Sequence, residues 1–294
     1  MNTAGIIWGK AIDLPAHVKS DIPFNINAEQ YKNNIYMILR TDNQIIEIIT
    51  LEKLEWDSQH FNKNIWYLTP YMNNPNLEAS IINYLLSSLE YICRYFSIDM
   101  LFCKVNTDMH SYIHGLEKRK FHLMDTLITF EHPFNQYQPF DVSDRYDFFC
   151  THDNKHIEEM MKLAEHLYTT DRFHTDPNLD NEKCNQLYSN WIANQSKDPN
   201  CDIFVLRENE TLVGFVTCKH HLDLTTSIQL VGVHPQHQGK GIGKELIKRT
   251  LNHYANKGNK ITVGTQLTNI GAIKCYLSVG FKISTTKHSF HRSF

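Results

Sequence analysis

The feature that most constrains this 294-residue chain is a glycine-spaced segment between a strand pattern and an amphipathic helix pattern. Gly239, Gly241 and Gly243 stand at alternate positions, at the start of a helix predicted over 241–257. Residues without a Cβ let the backbone approach a ligand closely, and the N-terminus of a helix attracts anions. The segment therefore predicts a turn that binds the pyrophosphate of a nucleotide-like ligand.

Two common nucleotide-binding motifs do not fit this segment. A P-loop needs Gly-Lys followed by Ser or Thr, but Glu245 follows Gly243 and Lys244. A dinucleotide-binding fingerprint needs Gly-x-Gly-x-x-Gly, but here the third glycine comes one position too early. A different type of phosphate recognition is therefore expected.

The segment instead resembles Gln-x-x-Gly-x-Gly, the acyl-CoA pyrophosphate loop of the GNAT N-acetyltransferase superfamily. The resemblance implies that acetyl-CoA is the co-substrate. It also implies that a bulge in the preceding strand, predicted over 225–233, opens a slot in which the backbone of Val231 and Val233 binds the pantetheine amides. The loop residues implied to bind acetyl-CoA are Gln238, Gly239, Lys240, Gly241, Ile242 and Gly243.

A second segment resembles the closing motif of the same superfamily, Asn-x-x-Ala-x-x-x-Tyr-x-x-x-Gly-Phe, and runs from Asn269 to Phe281. The resemblance implies that Asn269 contacts the CoA arm and that the Tyr276 hydroxyl protonates the departing thiolate. The two residues are seven apart, so they share one face of a helix. An ordinary tyrosine pKa near ~10 keeps the phenol protonated at neutral pH. The alternative for Tyr276 is an ordinary core aromatic.

Two further segments are similar to bacterial dTDP-fucosamine N-acetyltransferases. One is Trp56-Asp57 with Phe61, in which His60 departs from the usual aromatic. The other pairs Arg172-Phe173-His174 with Tyr188-x-x-Trp191. This resemblance implies a nucleotide-linked 4-amino-4,6-dideoxysugar as acceptor and a role in surface polysaccharide biosynthesis.

The chemistry of those residues agrees with such an acceptor. Arg172 can form a bidentate contact with a diphosphate, and Phe173 or Trp191 can cover the apolar 6-methyl face of the sugar. Trp56, in contrast, is expected to pack in the core.

Several alternatives stay open. The acceptor can instead be a peptide or another small amine, and a non-catalytic acyl-CoA-binding module would keep the glycine loop but lose Tyr276. The general base can be His220, His221, Asp223 or a water held by backbone carbonyls. Cys275 is a poor nucleophile candidate, because neighbours on a helix point about 100° apart.

The order of predicted elements divides the chain into three segments. Residues 1–43 are predicted to be an N-terminal extension of unknown role, so the core is expected to start near residue 44. Residues 44–140 predict a smaller partial α/β domain, and 141–294 predict the GNAT domain, with a linker at 141–144. The expected fold class is therefore α/β with a mixed sheet.

Local patterns add detail to this division. Apolar spacing predicts one helix over 77–96, capped by Asn76. The turn at Glu208–Glu210 predicts an antiparallel hairpin. The strand–helix–strand units after residue 225 predict parallel neighbours.

A shift of 160 residues lays segment 105–130 on segment 265–290. Both segments have a strand–helix–strand pattern, which predicts an internal repeat whose first copy is a degenerate half of a GNAT fold. That copy has Leu116 at the position of Tyr276 and Lys120 at the position of Gly280, so a second active site is not expected. The shift aligns four identical pairs: Ile113 with Ile273, Phe121 with Phe281, Thr126 with Thr286, and Phe130 with Phe290.

Composition argues against several function classes. The chain has 29 Lys and Arg against 32 Asp and Glu, without a long basic run, which disfavours nucleic acid as a partner. Apolar runs fall short of the ~20 residues of a membrane span, and the start lacks an export-signal pattern, so a cytoplasmic protein is expected. Seven scattered cysteines favour reduced thiols, and 17 histidines lack partners at ligand spacing, so no metal is expected. The oligomeric state stays open, with a homodimer among the alternatives.

Overall fold

A computed structural model describes residues 10–12, 25–31, 33–40, 45–70 and 77–294. The strands of this part are β1 (Lys10–Ile12), β2 (Asn25–Tyr31), β3 (Asn34–Arg40), β4 (Ile45–Lys53), β5 (Ile65–Pro70), β6 (Met100–Asn106), β7 (His122–Pro133), β8 (Asp147–Cys150), β9 (Cys201–Glu208), β10 (Thr211–His220), β11 (Thr225–Val233), β12 (Lys260–Gln266) and β13 (Lys282–Ser293). The helices are α1 (Glu55–Phe61), α2 (Ala79–Ser87), α3 (Leu89–Tyr95), α4 (His110–Lys118), α5 (Asn154–Ala164), α6 (Asn181–Gln195), α7 (Ile242–Tyr254) and α8 (Ile270–Ser278).

The described residues form two compact units that differ from the predicted division at residue 140. The N-terminal unit contains the described residues up to Asp125 together with Lys287–Phe294, and the C-terminal unit contains Thr126–Thr286. Most of β7 therefore belongs to the C-terminal unit, and most of β13 belongs to the N-terminal unit. Each unit takes one strand from the other half of the sequence.

The N-terminal unit has the strand order β1-β2-β3-β4-β5-β6-β13. Strands β5 and β6 are parallel, and all other neighbours are antiparallel. The expectation that the core starts near residue 44 is wrong, because Ile35, Met37 and Leu39 of β3 are fully buried in it. The apolar run from Ile35 to Leu39 was the available signal, since such a run is typical of a buried strand.

The predicted helix over 77–96 is two helices, α2 and α3. They meet at the buried Ser88, whose Oγ donates to the Leu85 carbonyl over 2.8 Å. A hydroxyl that bonds back to the preceding turn bends a helix, and the apolar spacing alone does not show this. The predicted cap, Asn76, lies outside the described residues.

Helix α1, which was not predicted, lies at the surface of the N-terminal unit. Its buried residue is Phe61, whereas Trp56 is 38% exposed and stacks on His60 with ring centroids 5.0 Å apart. The expectation that Trp56 packs in the core is therefore wrong. A seven-residue helix buries one narrow face, and Trp56 is not on it.

The C-terminal unit has the strand order β8-β9-β10-β11-β12-β7. The predicted hairpin joins β9 to β10, and β11 and β12 are parallel as expected. The next strand–helix–strand unit does not give parallel neighbours, because β7 pairs antiparallel with the second edge of β12. Local patterns cannot show this, since β7 comes from more than 120 residues earlier in the chain.

The predicted linker at 141–144 is attached to α7. Ser143 donates its backbone N–H to Glu245 Oε1 over 2.9 Å, and Lys248 Nζ donates to the Asp141 carbonyl over 3.0 Å. The polar residues that indicated a free linker instead provide bonds to this helix. All seven cysteines are free thiols, and the helices of the described part include none that is long and apolar enough to span a membrane.

Candidate active site

The central feature of the C-terminal unit is a bulge in β11. Thr217 of β10 pairs with Leu230, but the next residue, Cys218, pairs with Ile228, which leaves Gln229 as an inserted residue. An inserted residue bends its strand and disrupts pairing on both sides. The bulge implied by the GNAT resemblance is therefore present.

The pairing of β11 with β12 ends at the same place. Its last pair is Ile228 with Val263, although β11 continues to Val233. The His234 N–H donates to the Val213 carbonyl over 3.0 Å on the β10 side. Because residues alternate along an antiparallel ladder, Val231 and Val233 direct their N–H and carbonyl groups away from β10. This edge of β11 is the slot predicted between the two strands.

Two side chains reach the slot edge. The Tyr168 hydroxyl donates to the Val231 carbonyl over 3.1 Å, and Gln238 Nε2 donates to the Val233 carbonyl over 3.2 Å. A carbonyl oxygen accepts two hydrogen bonds, so each retains capacity for a ligand amide. Gln238 thus attaches the glycine loop to the end of β11.

The glycine loop is open on its outer side. Gly239 and Gly241 adopt left-handed conformations, with φ of 73° and 84°, and an added Cβ would meet nothing within 4 Å at either position. Gly241 is the N-cap of α7, and no side chain caps this helix start. The backbone N–H groups of its first turn, which lack helical partners, therefore suit a pyrophosphate. Lys240 and Lys244, both exposed, add positive charge there.

Tyr276 lies on the buried face of α8 and is 5% exposed. Its ring packs between Phe130 and Phe281, with centroid distances of 5.6 and 5.8 Å. Burial raises the pKa of Tyr276 well above its ordinary value, so the side chain remains a protonated phenol at neutral pH. That state is the one a proton donor requires. Asn269 is the N-cap of the same helix, and its Oδ1 accepts from the Ala272 N–H over 3.1 Å.

The segment between α5 and α6 is fixed by a buried carboxylate. Asp171 accepts from the Phe173 N–H over 2.8 Å, and its second oxygen lies 2.6 Å from His174 Nδ1. The other ring nitrogen of His174 lies 3.0 Å from Asn185 Oδ1 on α6. The segment that carries Arg172 is therefore bound to the neighbouring helix.

The three predicted acceptor residues have different surroundings. Phe173 is 5% exposed, and the Arg172 guanidinium carbon lies 4.3 Å from its ring centroid. Trp191 is half-buried and stacks on Tyr188 at 6.1 Å, and Tyr188 stacks on Tyr168 at 4.2 Å. This row of rings connects Trp191 to the slot edge. Sequence analysis missed Tyr168, because its contact with β11 spans 63 residues and no local motif marks it.

The three side chains considered as general base do not lie at the slot. His220 bonds Asp202 at 3.0 Å and Thr226 at 3.3 Å, at the start of β11. Val231 is five residues further on, or about 16 Å along a strand. His221 contacts Ser227 at 2.7 Å, and Asp223 caps the turn before β11, so both are at the same distant end. The histidine and aspartate candidates therefore lie away from the slot in this structure, whereas a water held by backbone carbonyls needs no side chain there.

Within the described ranges, no group of three or more His, Cys, Asp or Glu side chains is arranged to hold a metal ion.

Comparison with known proteins agrees with this geometry. Residues 158–281 match the Acetyltransferase (GNAT) family model. The chain contains a GNAT acetyltransferase domain. This GNAT domain includes the bulged strand, the glycine loop and Tyr276.

Two kinds of curated relative resemble parts of the chain. The spore coat polysaccharide biosynthesis protein SpsD of Bacillus subtilis (strain 168) is 26% identical over 135 residues, which cover 46% of each protein. A mycothiol acetyltransferase of Saccharopolyspora erythraea is 33% identical over 96 residues, which cover 32% of each protein. The matched segments therefore span less than half the length of these relatives.

Solved structures share the fold over more of the chain. A GCN5-related N-acetyltransferase from Sphaerobacter thermophilus has a TM-score of 0.64 at 12% identity and covers 89% of this chain and 80% of its own. A tandem GNAT protein from the clavulanic acid biosynthesis pathway has a TM-score of 0.58 at 9% identity and covers 93% and 84%. At these identities the likeness is one of fold.

Proposed function

We propose that the protein transfers the acetyl group of acetyl-CoA to the amine of a nucleotide-linked 4-amino-4,6-dideoxysugar in surface polysaccharide biosynthesis. The observation that carries the acetyl-CoA part is the bulged edge of β11, which leads directly into the open glycine loop. The similarity to SpsD supports the polysaccharide context. Free cysteines suit a reaction in the reducing cytoplasm.

The residues of the slot have distinct roles in this proposal. The loop from Gln238 to Gly243 and the start of α7 hold the pyrophosphate, and the Val231 and Val233 backbone aligns the pantetheine. The Val231 N–H, or that of a neighbour, faces the thioester oxygen and stabilises the oxyanion that forms when the amine attacks. Tyr276 then donates its proton to the departing thiolate, and a water held by backbone carbonyls takes the proton that the attacking amine loses.

The attack is direct, without an acetylated enzyme. The nearest thiol in sequence, Cys275, is half-buried, and burial raises its pKa. A thiol of raised pKa forms little thiolate and is a weak nucleophile.

The acceptor side supports a nucleotide sugar through Arg172 and Trp191, with Phe173 packed against Arg172. Arg172 lies on a segment bound to α6, and its planar guanidinium can form two parallel bonds with a diphosphate. Phe173 is buried beneath Arg172 and so supports it. Trp191, which is partly exposed, is the aromatic surface available to the apolar face of the sugar.

A second candidate acceptor class is another small amine or a peptide. The similarity to mycothiol acetyltransferases favours keeping a non-nucleotide small molecule in the test.

The experiment combines binding with product analysis. Isothermal titration measures acetyl-CoA binding, and mass spectrometry then screens dTDP- and UDP-aminosugars, other small amines and peptides for acetylation. A matched sugar nucleotide with a hydroxyl in place of the amine is the control. Acetylation of 4-amino sugar nucleotides alone supports the proposal. Acetyl-CoA binding with acetylation of a different class contradicts the acceptor, and no acetyl-CoA binding contradicts the whole proposal.

A further inference from the structure

Tyr168 lies where the slot meets the acceptor-side residues. It follows the end of α5, and its hydroxyl donates to the Val231 carbonyl over 3.1 Å. Its ring stacks on Tyr188 of α6 with centroids 4.2 Å apart and an angle of 26° between the planes. One side chain therefore contacts both the bulged strand and the helix that carries Trp191.

The ring of Tyr168 is supported from behind. Tyr188 is buried, and burial together with the Asp171 carboxylate raises its pKa. Asp171 is itself bound to His174, which contacts α6. The position of the Tyr168 hydroxyl is therefore set by packing that does not depend on a ligand.

The bond to Val231 matters because of strand geometry. In an extended strand, the N–H and the carbonyl of one residue point to the same side. A hydroxyl that fixes the Val231 carbonyl therefore also fixes the direction of the Val231 N–H. The bulge makes this support necessary, since β12 no longer pairs with this part of β11.

We infer that Tyr168 is a positioning residue, which holds the Val231 backbone so that its N–H is aimed at the thioester oxygen of bound acetyl-CoA. This inference rests on the proposed function. Tyr168 donates to the backbone and does not itself contact the reacting atoms. It also contacts Tyr188, so the packing of the acceptor segment and the alignment of the slot depend on one side chain.

The test uses acetyl-CoA labelled with ¹³C at the thioester carbonyl, and it needs no acceptor. Isotope-edited infrared spectroscopy of bound acetyl-CoA reports how strongly the carbonyl is polarised. We expect the wild-type protein to lower the stretching frequency relative to free acetyl-CoA, and Tyr168→Phe to lose most of that lowering. Affinity from isothermal titration should change less than about fivefold, the size of one neutral hydrogen bond.

Tyr254→Phe is the matched control, because it also removes one buried hydroxyl from the same unit. The Tyr254 hydroxyl donates to Asp202 over 2.6 Å at the distant end of β11, so this variant should keep the wild-type frequency. If Tyr168→Phe does not fold, Tyr168→His is measured, since it keeps a ring with an N–H donor and should retain part of the lowering.

The outcomes separate the two proposals. A lost frequency shift in Tyr168→Phe alone supports the positioning role. An unchanged shift in Tyr168→Phe, or an equal loss in Tyr254→Phe, overturns it while the proposed function stands. A wild-type protein that does not bind acetyl-CoA overturns both.

Discussion

Segments 65–133 and 225–293 have the same architecture with the same spacing. Strands β6 and β12, helices α4 and α8, and strands β7 and β13 each begin and end 160 residues apart. The strand pairs are shifted by the same amount. Ile65 pairs with Met100, and the residues 160 positions later, Thr225 and Lys260, pair with each other. The internal repeat predicted from four identical pairs is therefore retained in the register of the sheets.

The exchanged strands follow the same rule. Asn106 of β6 pairs with Lys287 of β13, and Gln266 of β12 pairs with Leu127 of β7. Each member of the first pair is 160 residues from a member of the second. The two segments therefore have the same topology, with element bounds and strand pairs at the same spacing, although few of their amino acids are identical.

The differences lie where the slot would be. In the N-terminal unit, β4 pairs with β5 without interruption. The first pair is Lys53 with Trp66, and the last is Ile49 with Pro70. The counterpart of β5 is β11, which has the bulge and ends in the glycine loop. The described part of the N-terminal unit therefore keeps the fold without a bulge in this strand and with Leu116 at the position of Tyr276, whereas the proposed chemistry rests on both features of the C-terminal unit.

Helix α4 of the N-terminal unit also differs from its counterpart α8. Gly115 stands at the position of Cys275, and a Cβ there would lie 2.9 Å from Leu86 and 3.0 Å from Ile82. Helix α2 therefore packs directly on α4. Leu116, at the position of Tyr276, is fully buried in the same core. The N-terminal unit fills with apolar side chains the space where the C-terminal unit has its candidate acid.

The largest effect should come from Tyr276, which α8 has where α4 has Leu116. Tyr276→Phe keeps the ring but removes the proton, so kcat should fall by roughly 10²–10⁴, the usual size of general-acid catalysis. Since the lost interaction is made in the transition state, kcat and kcat/KM should fall together. Steady-state kinetics measures this. Leu116→Met, the control in the other unit, should keep wild-type kcat, and a near-native Tyr276→Phe enzyme would refute the acid role.

The second largest effect concerns the glycine loop of the C-terminal unit. Gly241→Val places a branched side chain where the pyrophosphate must approach, and we expect the KM for acetyl-CoA to rise at least tenfold, or about 1.4 kcal/mol. The change also strains a left-handed residue, at about 1–3 kcal/mol. Lys120→Val is the control, because Lys120 has a left-handed φ of 59° in the N-terminal unit. Both variants should melt earlier, and equal KM values in the two would contradict the loop's role.

The third prediction tests the close packing of α2 on α4 in the N-terminal unit. Gly115→Val forces α2 away from α4 and should lower the free energy of unfolding by about 1–3 kcal/mol, as overpacking does. Chemical denaturation measures the loss. The acetyl-CoA affinity of the folded variant should stay at the wild-type value. A weakened affinity would mean that acetyl-CoA binds in this unit as well.

The smallest effect concerns the distant end of β11. Burial raises the pKa of Asp202, but bonds from Tyr254 and His220 outweigh burial and hold it below its ordinary value of 3.8. A carboxyl group whose pKa is lowered by folding stabilises the folded state above its ordinary pKa. This contribution to stability is lost as the pH falls through the folded-state pKa. Tyr254→Phe should therefore cost about 1 kcal/mol at neutral pH and less at pH 3. Melting curves across this range measure it, and a constant difference would exclude the link to Asp202.

Much of the C-terminal unit could be predicted because its signals are local. Strand and helix periods, the glycine spacing and the closing motif all lie within short windows, and the predicted strand over 225–233 and helix over 241–257 begin and end within three residues of β11 and α7. The exchange of β7 and β13 could not be predicted in this way, because each strand pairs with a strand more than 120 residues away in the sequence. Tyr168 and the attached linker were missed for a related reason, because their partners are distant in sequence and their own residue types are ordinary.

The exchange of β7 and β13 also determines when β6 can find its partner strand during synthesis of the chain. The β6 edge of the N-terminal unit meets its partner only after residues 287–293 have been made, which is roughly 150 residues after β7. At about 5–20 residues per second, the ribosome needs on the order of 8–30 s to reach that point. An unpaired strand edge is a template for other chains. The interval in which this nascent chain is most open to wrong pairing is therefore set by the length of the unit that carries the candidate active site.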